Sequence, residues 1–104
     1  MRFQHSGRLY EGEATIPAGD TAIIELPTSG PAAVAVHPAS GATAGVEMTL
    51  SPKHRVASGS ARWLPAAIGS AGTTDVASAC EILAPITALR VHAVGGPVVV
   101  EVLQ

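Results

Sequence analysis

The chain closes on ITALRVHAVGGPVVVEVLQ, residues Ile86 to Gln104, and the way this stretch folds decides the class of the whole protein. Apolar residues alternate along Ala88–Val94 and again along Val98–Leu103, with Gly95-Gly96 between them. That pattern predicts two half-buried strands joined by a tight hairpin turn. Pairing across Gly95-Gly96 puts Val94 against Pro97, Ala93 against Val98, Val91 against Val100 and Leu89 against Val102. Leu89, Val91, Ala93, Val98, Val100 and Val102 then form one apolar face, the core side. On the other face Arg90 meets Glu101 and His92 meets Val99, and the Arg90–Glu101 pair helps set the register. A slip of one residue would turn the valines out of the core. Pro97 has no N–H for a ladder and belongs at the strand start or on an edge.

Upstream, the same kind of segment recurs between Gly and Pro punctuation. Glu13–Ile16 ends at the Pro17-Ala18-Gly19-Asp20 turn. Thr21–Leu26 places Ala22, Ile24 and Leu26 on one face. PTSGP (Pro27–Pro31) reads as a loop, Ala32–His37 as a strand, and Val46–Leu50 as another, with Val46, Met48 and Leu50 facing one way. Ser51-Pro52 has the pattern of an N-cap followed by Pro at the first helical position, so a helical turn or two runs to Ala57 and stops at Gly59. A short edge segment follows at Ala61–Leu64, and strands return at Val76–Leu83 and Ala88–Val94. The expected fold is all-β: a compact antiparallel sandwich or barrel of roughly seven strands, with at most a short helical turn after Ser51.

Composition narrows the function classes. The 104 residues are 47% hydrophobic, 13% charged and 3% aromatic. An average domain has about 25% charged residues, so this surface is built from Ser, Thr, Gly and Ala, as suits a protein packed among neighbours. A general bias toward Ala would produce the same composition. A net charge of −2 offers no footprint for nucleic acid. No apolar run approaches a membrane helix, and the first residues lack the apolar core of a secretory signal. No membrane partner and synthesis in a bacterial cytoplasm are the expectations. The one cysteine, Cys80, has no internal disulfide partner and reads as a buried, inert thiol.

Reactive side chains do not converge in the sequence. His5, His37, His54 and His92 lack metal-pair spacing, and the carboxylates stand singly. SGSAR around Ser60 is not a nucleophile elbow. The expectation is no enzyme, no cofactor, no metal and no catalytic residue. Trp63 reads either as a plug in the core or edge, or, with Arg62, as a contact anchor of the kind found at interface hot spots. Residues 1–12 carry Arg2, Phe3, His5, Arg8 and Tyr10, a mixture found nowhere downstream. This segment is either a frayed end or an arm that orders on a neighbour, beside a single β domain over 13–104. Arg2, Phe3, Arg8, Tyr10, Arg62 and Trp63 are the candidate partner-binding residues.

From VEMTLSP through ARWLPAAIGSAGTTDVASACEILAPITALRVHAVGGPVVVEVLQ, the chain resembles small virion proteins of tailed bacteriophages. The shared features, in order, are a TLSP-type strand end, a W-x-P segment, a TD turn and a P-x-TALRV…GG…V-x-VEV hairpin. The resemblance implies a structural module located in the virion: a capsid decoration or cement protein, or a small head- or tail-associated component. Its partners would be the major capsid protein or other virion proteins and further copies of itself. The alternatives are a tail or baseplate component and a carbohydrate- or receptor-binding β module.

Overall fold

A computed structural model of the chain describes the backbone of residues 2–6 and 9–104, and side chains from residue 12 onward except 28–30. The elements are β1 (Arg2–Ser6), β2 (Leu9–Ile16), β3 (Thr21–Pro38), β4 (Thr43–Thr49), α1 (Lys53–Ser58), β5 (Leu64–Pro65), β6 (Thr73–Thr74), β7 (Ser78–Val94) and β8 (Val98–Leu103). Among the described residues, eight antiparallel strands and one short helix fulfil the all-β expectation.

Two long strands organise the molecule. β3 and β7 run antiparallel along their lengths, Thr21 opposite His92 at one end and Val36 opposite Ser78 at the other. Each belongs to two layers. The second half of β3 also pairs with β8, and β8 with β2 and β2 with β1, giving a first layer. The second half of β7 also pairs with β4, which carries the short β5 and β6, giving a second layer. The ladder bends between the halves, where the register shifts around Gly30. PTSGP is therefore not a separate loop. It is the irregular corner of one continuous strand, where Pro27 and Pro31 remove two ladder donors. The corner in β7 is Ile86–Leu89, four consecutive buried residues instead of an alternation. Thr87 can be buried there because its hydroxyl donates to the Ser51 carbonyl at 2.6 Å. The two segments expected at Val76–Leu83 and Ala88–Val94 are accordingly one strand, bent at this corner.

β7 and β8 do not form the expected hairpin. Val98, Val100 and Val102 lie opposite Ile16, Ala14 and Gly12 of β2 on one side. On the other side they face Pro38, Val36 and Val34 of β3. Gly95-Gly96 carries the chain from one layer to the other. Gly95 has φ +78, and a Cβ there would sit 2.9 Å from the Gly41 carbonyl oxygen, so the crossing is pressed against the β3–β4 connection. The expected core face survives this change: Leu89, Val91 and Ala93 and Val98, Val100 and Val102 are all buried in the same cluster. They meet across the core instead of along a ladder. A strictly alternating apolar face is satisfied by either arrangement, so periodicity alone could not separate them. The Arg90–Glu101 pair is lost with the hairpin. Arg90 instead binds Glu47, and Glu101 meets His37 at 2.6 Å. His92 lies opposite Thr21 and Gly45, not Val99.

The core is aliphatic, with Leu26, Ile86, Leu89 and six valines among the largest fully buried side chains. Each such residue contributes about 1.5–3 kcal/mol by leaving water. Helix α1 ends as expected at Gly59, whose φ of 80 gives a left-handed cap. Its start differs: Pro52 occupies the N-cap position without a side-chain bond, and the Ser51 hydroxyl accepts from the Arg62 amide at 3.0 Å. Ser51 ties the returning loop to the strand end and leaves the helix N-terminus without a side-chain cap.

Candidate interaction site around Trp63 and Arg90

The outward face of the second layer is set by alternation. Val46 points into the core, so its neighbours Gly45 and Glu47 point out; Val91 points in, so Arg90 and His92 point out. The β4–β7 register places Glu47 directly opposite Arg90 and Gly45 directly opposite His92. Because Gly45 has no side chain, the His92 ring can lie close over it; a Cβ on Gly45 would be 3.4 Å from His92 Cδ2.

These positions produce one connected polar chain. Arg90 Nε donates to Glu47 Oε1 at 2.9 Å. His92 Nε2 reaches the same oxygen at 2.6 Å, and its Nδ1 lies 2.8 Å from Thr21 Oγ1. A neutral ring protonated at Nε2 satisfies both bonds, donating to Glu47 and accepting from the Thr21 hydroxyl. The Arg90 hydrogen bond, aided by His92, holds the Glu47 carboxyl below its ordinary value of 4.5, against the opposing effect of partial burial. On its other side the Arg90 guanidinium stands 4.5 Å from the centre of the Trp63 ring. Trp63 is half-buried and carries a cation against its ring.

The sequence Thr21–His92–Glu47 has the order hydroxyl, imidazole, carboxylate that activates a nucleophile in some enzymes. The surroundings of this chain differ in two respects. Glu47 already shares its charge with Arg90, which weakens its pull on the imidazole, and Thr21 stands on an exposed strand face. The cluster is a clamp across β3, β7 and β4, capped by Trp63.

The candidate residues from the sequence separate in space. Trp63 joins the clamp, but its cationic partner is Arg90 of β7, not the adjacent Arg62. Arg62 is exposed, and its backbone is held at both ends: the carbonyl accepts from Thr49 Oγ1 at 2.6 Å and the amide donates to Ser51. The backbone of Arg2 and Phe3 lies in β1 and that of Tyr10 in β2, with Phe3 opposite Gly12. Their side chains, and Arg8 entirely, lie outside the described residues. The boundary drawn at residue 12 falls within β2, which continues from Leu9 to Ile16.

Sequence reading did not assemble Glu47, Arg90 and His92, which come from strands far apart in the chain. A usable signal was present: alternation had already put all three on outward faces, and only the β4–β7 pairing was missing. Elsewhere, a recess of about 370 Å³ is lined by Thr43, Gly69, Ser70, Thr73, Thr74 and Asp75. The Thr74 hydroxyl in it is already bonded to Val76 and Ser78. Among the described residues no three His, Cys, Asp or Glu side chains gather as a metal set. No described helix is long and apolar enough to cross a membrane. Cys80 is half-buried, less enclosed than the sequence suggested, and burial pushes its thiol above the ordinary value.

No protein-family model matches the chain, and no curated protein matches it. Solved structures with a similar fold exist. An oxalate oxidase in complex with the substrate analogue glycolate superimposes with a TM-score of 0.53 at 10% identity, over 91% of this chain and 40% of that one. A cupin 2 domain-containing protein from Halorhodospira halophila gives 0.46 at 15% identity, over 96% and 53% of the two chains. The vicilin from Solanum melongena gives 0.44 at 14%, over 91% and 23%. The chain spans about half or less of the length of each. At such identity the oxalate oxidase likeness establishes a shared β fold and nothing of its chemistry.

Proposed function

We propose that the chain is a structural, non-catalytic protein of a tailed-phage virion, a capsid decoration or cement protein that binds the major capsid protein and stabilises the lattice as an oligomer. The tailed-phage part rests on the resemblance carried by residues 46–104. The observation that supports an assembly role is the surface of the first layer. Its outward positions include Ala33, Ala35, Ala79, Leu83, Val99 and Leu103, with Leu83 72% exposed and Leu103 47% exposed. The same face also carries Glu13, Glu81 and Glu101, with His37 bonded to Glu101, so small and apolar residues alternate with acidic ones, and a partner seated here would bring basic groups to meet them. A rigid two-layer core beneath it fits a protein that must bridge subunits under mechanical load. In this reading Arg2, Phe3, Arg8 and Tyr10 of the N-terminal segment reach a neighbouring subunit. A tail or baseplate component is the alternative within the same class. The carbohydrate-binding alternative has less support, because Trp63 already meets Arg90 and is not a bare platform.

The test is quantitative mass spectrometry of phage particles purified from a lysate of the host that carries the gene. The proposal expects the protein in a fixed, high ratio to the major capsid protein. Its absence from washed particles would refute the proposal.

A further inference from the structure

We propose that the first half of β7, Ser78–Ala84, is a dimerisation edge that pairs antiparallel with the same strand of a second copy, centred on Cys80. This deepens the assembly reading above by naming the edge through which copies join.

The edge is open on one side. Residues 78–82 pair with β3, whereas β4 meets β7 only from Ala88 to Val94. Alternate N–H and C=O groups of this half-strand therefore point away from β3, where no described strand meets them. Natural sheets protect such an edge with lysine, proline or a bulge. Ser78–Ile82 has none of these and one charge, Glu81; the irregular register and Pro85 come only beyond it. The core is also incompletely covered there: Cys80 and Ala84 point inward yet are only partly buried. Val76 and Leu83, 63% and 72% exposed, flank the opening.

An antiparallel edge is complementary to itself under a two-fold axis, which makes a second copy the natural occupant and leaves neither edge free. Charge and burial select the register. Centring on Glu81 would set two carboxylates face to face. Centring on Cys80 pairs Ser78–Ile82 with the same residues of the other copy, Glu81 opposite Ala79, and brings Leu83 and Ala84 against the bend at residues 76–77 that precedes the other copy's strand. The exposed Leu83 and the partly open inner side at Ala84 then come against the other copy.

Cys80 is the only cysteine, so it reports this register without engineering. In either kind of antiparallel pair the facing Cα atoms are about 4.5–5.5 Å apart, within disulfide reach. The full chain is examined by light scattering and, after mild oxidation, by non-reducing electrophoresis. The expected results are a dimer and a Cys80–Cys80 link that Cys80→Ser abolishes. Leu83→Lys, at an exposed position, should keep the wild-type circular dichroism and weaken dimerisation by about tenfold or more. Ala79→Lys should strengthen it by about two- to thirtyfold, because each new lysine faces Glu81 of the other copy. A wild-type monomer at about 100 μM, above ordinary weak-dimer constants, would overturn the proposal. So would a dimer that neither links through Cys80 nor responds to Leu83→Lys. The assay contains no capsid, so its failure leaves virion occupancy open, and absence from virions leaves the dimer intact.

Discussion

Arg90 donates to Glu47 at 2.9 Å while its guanidinium faces the Trp63 ring at 4.5 Å, so one side chain locks β7 both to β4 and to the loop before β5. The carboxylate also receives His92. Glu47 is thus the acceptor on which the outer face of the second layer depends.

Replacing it should show this. Glu47→Gln keeps the shape but weakens charge-assisted bonds, at a cost of about 1–2 kcal/mol at neutral pH. The carboxyl is held below 4.5 in the folded chain, so its contribution is present above that value and is lost as pH falls through the lower folded value. Urea midpoints measured from neutral pH downward should therefore fall more steeply in wild type than in Glu47→Gln, and the two curves should converge in acid.

Trp63 offers an optical check, being the only tryptophan. Arg90→Ala removes the cation beside the ring and should red-shift its emission and cost about 1 kcal/mol or more. Arg62→Ala, at an exposed neighbour, should leave the spectrum unchanged. The opposite pattern would assign the ring's partner to the adjacent Arg62.

The place of β8 can be read by hydrogen exchange. A strand paired with β2 on one side and β3 on the other has amides engaged on both flanks. Val98 to Val102 should all exchange near the global unfolding rate. A terminal hairpin strand on an open edge would instead show alternate fast amides.

Leu89 is fully buried where both layers meet. Leu89→Ala should cost about 2–5 kcal/mol, the range for a large-to-small change in a core that cannot collapse. Leu103→Ala, at a residue 47% exposed, should cost far less. Both follow from thermal or urea melts.

The strands and their inward faces were legible from period-two patterning, because alternation is a local property of the chain. Ile24 and Leu26 point inward as expected, and so do Val98, Val100 and Val102. Partnership was not legible. The valines of β8 and the Leu89-Val91-Ala93 face of β7 suit each other along a ladder or across a core. The Gly95-Gly96 pair favours the first by turn chemistry, yet Gly95 is also what lets the crossing lie against Gly41. Tertiary competition decided the matter: β2 and β3 offer β8 a complete partner on each side. The clamp shared this fate. Glu47 was correctly turned outward, but Arg90 was matched to Glu101, the acid that a local hairpin would supply.

The measurement that bears most directly on the assembly role is a cryo-electron reconstruction of the intact phage particle. The account predicts a repeated density on the head lattice that accepts a two-layer β domain of 34 × 30 × 22 Å. A reconstruction in which every lattice density is filled by other chains, with this protein absent from the particle, would contradict it.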